Sequence, residues 1–211
     1  PRRVDRAGDP GPRLRPHRVR PAVARLSVQP VTLESARVRL DLPTRADTAA
    51  ITEACQDPEI VRWTTVPNPY REQDARTFVD ALVGPGWASD REYTWAIRPA
   101  GSTWLAGIIS YRTAGRDLGF WLAPSARGAG IMHDAVRLVV DWALEQGAPD
   151  VYWECYEGNT ASAAVARAAG FSYTGRGEAR VPDRDGGPTA AWTALRRADG
   201  APASDLPWPV V

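Results

Sequence analysis

The stretch from residue 117 to residue 155 constrains the fold most, because it reads as a strand, a glycine-rich loop, a long helix and another strand. Residues 117–122 and 151–155 have the composition of strands, and Gly147 ends the helix between them. The apolar residues of that helix recur at helical spacing and predict one buried stripe: Ile131, Ala135, Leu138, Val139 and Trp142. A strand–helix–strand connection forms a right-handed crossover, so the two strands should be parallel neighbours in one sheet.

The rest of the body extends this unit into the order β-α-α-β-β-β-α-β-α-β-β. Further strands are predicted over residues 36–42, 93–97, 103–111, 171–175 and 189–195. Further helices are predicted over residues 44–56, 72–83 and 159–169. Asp57-Pro58 is predicted to end the first of these helices, and Gly84-Pro85-Gly86 to end the second. The pattern predicts an α+β fold with a mixed, mostly antiparallel central sheet of about seven strands and helices on both faces.

Charge is distributed unequally along the chain. The 26 basic residues, all of them arginine, nearly balance 25 acidic ones, for a net charge of +1. Eight arginines and two aspartates give residues 1–30 a net charge of +6, which leaves −5 for residues 31–211. Residues 1–30 also lack apolar periodicity, so we expect a basic, disordered arm there. The acidic body argues against nucleic acid as a partner, although the arm alone could meet RNA or an acidic protein.

Composition excludes several other classes of protein. No run approaches about 18 apolar residues, so no membrane span is expected, and the absence of a secretory apolar segment favours the cytoplasm. Two cysteines are too few for a disulfide framework, and two histidines argue against a zinc site, so no metal is expected. Residues 31–197 should form one domain, and the proline-rich residues 198–211 a tail.

The loop at residues 127–130, Arg-Gly-Ala-Gly, lies where physical chemistry favours an anion. Glycines let backbone N–H groups approach a ligand, the N-terminus of the following helix attracts negative charge, and an arginine can bind phosphate with two hydrogen bonds. A glycine pair before a helix is also common as a simple tight turn. The loop lacks the Gly-Lys-Ser/Thr of a Walker loop and the third glycine of a dinucleotide-binding fingerprint.

A second motif follows the strand at residues 151–155. Asn159 is a good N-cap for a short helix, Ser162 lies three residues later, and Gly170-Phe171 ends the helix. Taken alone, this pattern is capping chemistry.

Together the two motifs resemble the GNAT superfamily of N-acetyltransferases, and most closely its RimJ/RimL-like group of ribosomal-protein acetyltransferases. The acetyl-CoA motif of that family, Arg/Gln-x-x-Gly-x-Gly/Ala, matches residues 127–132, with Met132 in place of the small last residue, as is common in the RimL-like subset. Residues 119–127 resemble the group's fourth strand and loop, and residues 159–171 match its Asn-x-x-Ser and Gly-Phe elements. The resemblance covers roughly residues 31–197.

The resemblance implies a GNAT fold in which the fourth and fifth predicted strands splay apart and the pantetheine arm of acetyl-CoA lies between them. It implies an acyltransferase reaction in which a primary amine attacks the thioester of acetyl-CoA directly, without a metal. The residues implied to bind the donor are Phe120, Trp121, Leu122, Arg127, Gly128, Ala129, Gly130, Ile131, Met132, Asn159 and Ser162. A homodimer is a further implication of the resemblance.

The resemblance also implies roles for catalytic side chains. Many family members carry a tyrosine as general acid four residues before the Gly-Phe pair, where this chain has Ala166. Ser162 is therefore the implied donor of a proton to the leaving thiolate. Asp117 and Glu154 are candidates to accept the proton of the amine, and the sequence leaves the choice between them open. For each carboxylate, a solvated surface charge is the alternative.

The acceptor is the least determined part of the site. A protein N-terminal alanine or serine is typical of the group, and a small-molecule amine is a comparable candidate. Trp63 and Tyr70 lie in a predicted loop rich in aromatic residues and are predicted to wall the acceptor site. The alternative function is that of a GNAT-like protein that binds CoA as a sensor or scaffold without turnover.

Overall fold

The computed structural model describes residues 29–184 and 186–209, so the predicted arm lies outside the described residues apart from Gln29 and Pro30. Its strands are β1 (Leu33–Glu34), β2 (Val38–Asp41), β3 (Glu92–Pro99), β4 (Gly107–Arg112), β5 (Asp117–Leu122), β6 (Asp150–Tyr156), β7 (Ser172–Glu178) and β8 (Ala190–Arg197). Its α-helices are α1 (Thr48–Ala54), α2 (Pro58–Trp63), α3 (Glu72–Thr77), α4 (Gly84–Ala88), α5 (Ile131–Glu145) and α6 (Thr160–Ala168). Short 3-10 helices cover Arg45–Asp47 and Pro124–Ala126, and a π-helical segment, Phe78–Val83, joins α3 to α4.

The strands form one open sheet in the order β1-β2-β3-β4-β5-β6-β8-β7. Within the described residues, β5 and β6 pair in parallel and all other neighbours are antiparallel. The predicted mixed, mostly antiparallel sheet is therefore confirmed, with β5 and β6 as the fourth and fifth predicted strands. The sheet has eight strands rather than about seven, because β1 pairs with β2 ahead of the first predicted strand.

Helices cover both faces of the sheet, as predicted. In β3, Trp95 and Ile97 belong to a large apolar cluster with α5, whereas Ala96 between them belongs to a second cluster with α1 and α3. In β4, Ile109 and Ile108 divide between the two clusters in the same way. This alternation follows from the strand, in which successive side chains point to opposite faces. The predicted stripe of α5 is buried at Ile131, Ala135, Val139 and Trp142, and Leu138 is half-buried.

One predicted helix end is wrong, and so is the loop predicted after the other helix. Helix α1 ends at Ala54, before Asp57-Pro58, but the loop predicted there, which includes Trp63, begins with a helix. Asp57-Pro58 begins α2, because the Asp57 carboxylate accepts hydrogen bonds from the backbone N–H groups of Glu59 and Ile60, both at 3.0 Å. A proline in the first turn is tolerated because its missing N–H would have no partner within the helix. Gly84-Pro85-Gly86 does not end the second helix, because the π-helical segment Phe78–Val83 runs directly into α4, which has Pro85 in its first turn and ends at Ala88.

A buried ion-pair cluster joins the first part of the chain to the sheet. Arg98 on β3 donates from Nε to Asp41 at 2.8 Å and from its two terminal nitrogens to both carboxylate oxygens of Asp47 at 2.9 and 3.0 Å. It also donates to the carbonyl of Thr103 at 2.8 Å. The predicted strand 103–111 starts only at Gly107, the first residue of β4. Burial would raise the pKa of Asp47, but the hydrogen bonds from Arg98 and from Thr44 together lower it.

The C-terminal stretch lies against the sheet. The ring of Trp208 is centred 5.8 Å from that of Trp153 on β6 and 5.5 Å from that of Tyr173 on β7. Strand β8 ends at Arg197, the last residue of the predicted domain. None of the described helices is both long and apolar enough to cross a membrane.

Candidate active site: the cleft between β5 and β6

The parallel pair opens after its first contact. Asp117 pairs with Tyr152, and no further pair of residues joins β5 to β6 in the described chain. The expected splaying of these strands is therefore confirmed. Where they part, a cleft of about 700 Å³ opens between β5, β6 and α2 and extends to the N-termini of α5 and α6. Beyond Asp117, the edge of β5 that faces β6 is left without a strand partner, so its backbone groups can pair with an extended ligand.

The glycine loop forms one end of this cleft. Gly128 and Gly130 both have positive φ, +80° and +72°, in the left-handed region that favours glycine. Gly130 is the N-cap of α5, whose first turn leaves backbone N–H groups without partners in the helix. Five of the predicted loop residues line the cleft and Ala129 does not; the five are Arg127, Gly128, Gly130, Ile131 and Met132. The arrangement is a site for an anion.

The Arg127 side chain already makes two hydrogen bonds within the protein. Its Nη2 donates to the carboxylate of Asp57 at 2.8 Å and to the carbonyl of Leu122 at 3.1 Å. Burial would raise the pKa of Asp57, but the hydrogen bonds from Arg127 and from the N-terminus of α2 together lower it. Arg127 therefore ties the glycine loop to α2, and its predicted phosphate contact would have to share the guanidinium with Asp57.

The short helix α6 forms the opposite wall of the cleft. The side-chain oxygen of Asn159 accepts a hydrogen bond from the backbone N–H of Ser162 at 3.1 Å, which confirms Asn159 as the N-cap. The indole N–H of Trp153 donates to the hydroxyl of Ser162 at 3.2 Å. The thiol of Cys155 also lines the cleft, and burial raises its pKa to about 12, so it stays protonated, unlike a nucleophilic cysteine.

The two candidate bases have different surroundings. Glu154 lines the cleft, and its carboxylate accepts from the Tyr152 hydroxyl at 2.9 Å and from the backbone N–H groups of Arg180 and Val181 at 3.0 and 3.3 Å. Asp117 does not line the cleft. Its carboxylate accepts from Nε of Arg112 on β4 at 2.8 Å, and Nη2 of Arg112 contacts the same oxygen.

The two residues predicted to wall the acceptor site, Trp63 and Tyr70, line different cavities. Trp63 is the last residue of α2 and lines the cleft, and its indole donates to Glu59 at 2.9 Å. A methyl group built on Gly158, after β6, would lie 3.7 Å from the Trp63 ring, so this ring reaches across from α2 to the β6–α6 connection. Tyr70 is buried and does not line the cleft; it lines an adjoining cavity of about 320 Å³.

Other residues shape the cleft without having been predicted from sequence. Arg184, between β7 and β8, donates from Nη2 to the carbonyls of Val61 at 2.8 Å and Val66 at 2.9 Å, which fastens its loop to the end of α2. These partners are more than a hundred residues apart in the chain, so no local pattern indicates the contact. Asp57 did leave a signal, because an aspartate followed by proline is a typical helix start. The described residues contain no group of three or more histidine, cysteine, aspartate or glutamate side chains placed to hold a metal ion.

Comparison with solved structures shows the same fold in several acetyltransferases. RimL, the ribosomal L7/L12 alpha-N-protein acetyltransferase, solved with coenzyme A, is 18% identical with a TM-score of 0.69, over 81% of this chain and 100% of that one. The microcin C7 self-immunity acetyltransferase MccE, solved with acetyl-CoA and AMP, is 16% identical with a TM-score of 0.68, over 77% and 93%. A GNAT-family acetyltransferase from Bacillus anthracis is 18% identical with a TM-score of 0.68, over 80% and 99%.

Sequence comparison gives the family. No curated protein sequence matches the chain. Residues 37–172, which hold the glycine loop, the β5–β6 opening and α6, match the acetyltransferase (GNAT) domain. The chain belongs to the GNAT family of acetyltransferases.

Proposed function

We propose that this protein transfers an acetyl group from acetyl-CoA directly to a primary amine. The observation that carries the proposal is the continuity of the cleft, which runs from the opening between β5 and β6 to the glycine loop at the start of α5. In the proposed complex the pantetheine arm lies along Phe120, Trp121 and Leu122, whose backbone lies on the splayed part of β5. The backbone N–H groups of residues 128–132 hold the diphosphate. Bound CoA in RimL and acetyl-CoA in MccE, which share the fold, support this assignment.

Ser162 is the proposed general acid. An indole N–H can only donate a hydrogen bond, so the serine hydroxyl that accepts from Trp153 keeps its own proton for another acceptor. Ser162 lines the cleft beside Cys155 and Asn159, at the end where α6 begins. A thiolate leaving group with an ordinary pKa near ~8.5 needs only modest help of this kind.

Glu154 is the proposed acceptor of the amine proton, directly or through a water. An ionised carboxylate offers about four lone-pair sites. Neutral donors occupy three of them, and among the described residues no arginine lies within ion-pair distance of Glu154. Asp117 is instead proposed to hold Arg112, because the two are cross-strand partners and are hydrogen-bonded.

The proposed acceptor end of the cleft lies beside Trp63. The proposed acceptor is either a protein with an N-terminal alanine or serine or a small-molecule amine. The family resemblance further implies a homodimer in the cytoplasm. Trp63 closes the cleft by reaching towards Gly158, and Glu59 holds its indole in place. Tyr70 is proposed to support this wall from the adjoining cavity, which shares Thr65, Val66 and Phe78 with the cleft.

The proposal is tested by thiol release from acetyl-CoA with a panel of acceptors: peptides beginning with alanine or serine, polyamines and amino acids. We expect amine-dependent release of CoA and an acetylated product detected by mass spectrometry. Peptides and small amines in the same panel distinguish the two acceptor classes. Binding of CoA without turnover by any member of the panel would contradict transferase activity and favour a CoA sensor or scaffold.

A further inference from the structure

Arg37, in the turn between β1 and β2, lies beside the glycine loop. A methyl group built on the α-carbon of Gly130 would lie 3.5 Å from Nη1 of Arg37 and 3.9 Å from its guanidinium carbon. The Arg37 side chain is 62% exposed, so the guanidinium lies at the surface next to the first turn of α5. The sequence motifs gave no reason to include this arginine in the site, because it precedes the glycine loop by about ninety residues.

Asp134, in the first turn of α5, fixes the orientation of Arg37. Its Oδ2 accepts from Nε of Arg37 at 3.0 Å and from the hydroxyl of Ser35, also at 3.0 Å. Burial would raise the pKa of Asp134, but the hydrogen bonds from Arg37 and Ser35 together lower it, so the carboxylate is ionised at neutral pH. A negative charge at this position would repel an anion at the glycine loop, and Arg37 compensates it.

The remaining donors of Arg37 are available to a ligand. A guanidinium has five N–H donors in a rigid fork, and Asp134 uses the one on Nε. Within the described residues, neither terminal nitrogen of Arg37 makes a hydrogen bond. The guanidinium is therefore held at Nε, while Nη1 lies next to Gly130, the N-cap of α5. A guanidinium whose terminal nitrogens are free in this way can bind a phosphate with two hydrogen bonds.

We propose that Arg37 binds the diphosphate of CoA from the β1–β2 turn, together with the backbone N–H groups of the glycine loop. This inference rests on the proposed function, since it assigns a further binding residue to the same site. Asp57 holds one terminal nitrogen of Arg127 and Asp134 holds Nε of Arg37, so each guanidinium keeps further donors for the diphosphate.

The experiment measures affinity for CoA and for dephospho-CoA, which lacks the 3′-phosphate but keeps the diphosphate, by isothermal titration calorimetry. Because a charge-assisted hydrogen bond is lost, Arg37→Ala should weaken both ligands by about tenfold or more, and by the same factor. Arg39→Ala is the matched control, since Arg39 is exposed on β2 and pairs only loosely with Glu34 and Asp41, at 3.4 and 3.6 Å. We expect it to leave both affinities unchanged. Unchanged affinities in Arg37→Ala, or a loss confined to CoA, would overturn the assignment.

A second variant separates direct contact from compensation of Asp134. If Arg37 only cancels the charge of Asp134, the double variant Arg37→Ala with Asp134→Asn should regain wild-type affinity. Direct contact predicts that the double variant stays weak, and a full recovery would overturn the proposal. Thermal unfolding of each variant shows that it is folded. Failure of the wild-type protein to bind CoA at all would contradict the proposed function itself, an outcome distinct from failure of Arg37 alone.

Discussion

Replacing Glu154 by glutamine tests the proposed base with little disturbance to the fold. Glutamine keeps one side-chain oxygen to accept from the backbone N–H groups of Arg180 and Val181. Its amide replaces the oxygen that accepts from Tyr152, whose hydroxyl can rotate and accept instead. At most one neutral hydrogen bond is weakened, so we expect a change in unfolding free energy within about 1 kcal/mol.

The expected loss of rate is larger. General base catalysis contributes roughly 10²–10⁴-fold, and we expect the lower end, a fall of about 10²-fold in kcat/KM, or about 2.7 kcal/mol of transition-state stabilisation. The lower end applies because an α-amino group has a pKa near ~8, so part of the acceptor is already neutral at pH 7. For the same reason the deficit should shrink as the pH is raised, because more of the amine loses its proton to solvent.

The assay is the initial rate of CoA release against pH, with the best acceptor of the panel. Asp117→Asn is the matched control, because Asp117 is hydrogen-bonded to Arg112 and lies outside the cleft. It should leave kcat/KM near that of the wild-type protein. A greater loss in Asp117→Asn than in Glu154→Gln, or a Glu154→Gln deficit that is the same at every pH, would refute the assignment.

Three further predictions concern the proposed general acid Ser162, the buried ion pair of Arg98 with Asp47, and Gly130 of the glycine loop. Ser162→Ala should lower kcat by about 10-fold to 10²-fold with little change in CoA affinity measured by calorimetry, and an unchanged kcat would exclude Ser162 from proton transfer. Arg98→Met should lower the unfolding free energy in urea by roughly 3–5 kcal/mol, because it leaves the buried carboxylate of Asp47 unpaired. The pKa of Asp47 is lowered in the folded state, so this carboxylate stabilises the wild-type protein fully above its unfolded pKa of about 3.9. That contribution is lost as the pH falls below this value. An unfolding free energy that does not decrease there would contradict the pairing of Asp47 with Arg98. Gly130→Ala should lower the unfolding free energy by about 1–2 kcal/mol and weaken CoA binding, because the φ of Gly130 is +72°. Gly84→Ala should be tolerated, because Gly84 has a φ of −58° and open space around its α-carbon; equal effects of the two variants in thermal unfolding would count against this reasoning.

Local patterns carried the prediction of the fold. The apolar stripe of α5 and the strands on either side of it depend on periodicity over a few turns, and the crossover rule then makes β5 and β6 parallel. The glycine loop and Asn159 were predicted for the same reason, since positive φ and N-capping are local properties. Helix α2 was missed because Asp57-Pro58 both follows one helix and begins the next.

Contacts between distant parts of the chain could not be predicted in this way. Arg184 binds carbonyls at the end of α2, Arg37 lies beside Gly130, and Asp117 is paired with Arg112 rather than turned to the cleft. Each depends on how the sheet brings its connections together, which no spacing in the sequence records. Contacts of this kind distinguish Glu154 from Asp117 as the proposed base and add Arg37 to Arg127 as a proposed phosphate ligand.

Helix α2 connects the glycine loop to the end of the cleft that is proposed to bind the acceptor. Its N-cap, Asp57, binds Arg127 of the glycine loop, and its last residue, Trp63, lines the end of the cleft proposed for the acceptor. A helix of six residues is about 9 Å long and rigid over that length. A phosphate that binds Arg127 in place of Asp57 would therefore act at the start of α2, and the indole of Trp63 lies at the other end of the same helix. Under the proposed function, α2 would therefore connect occupancy of the donor site to the position of the ring beside the acceptor.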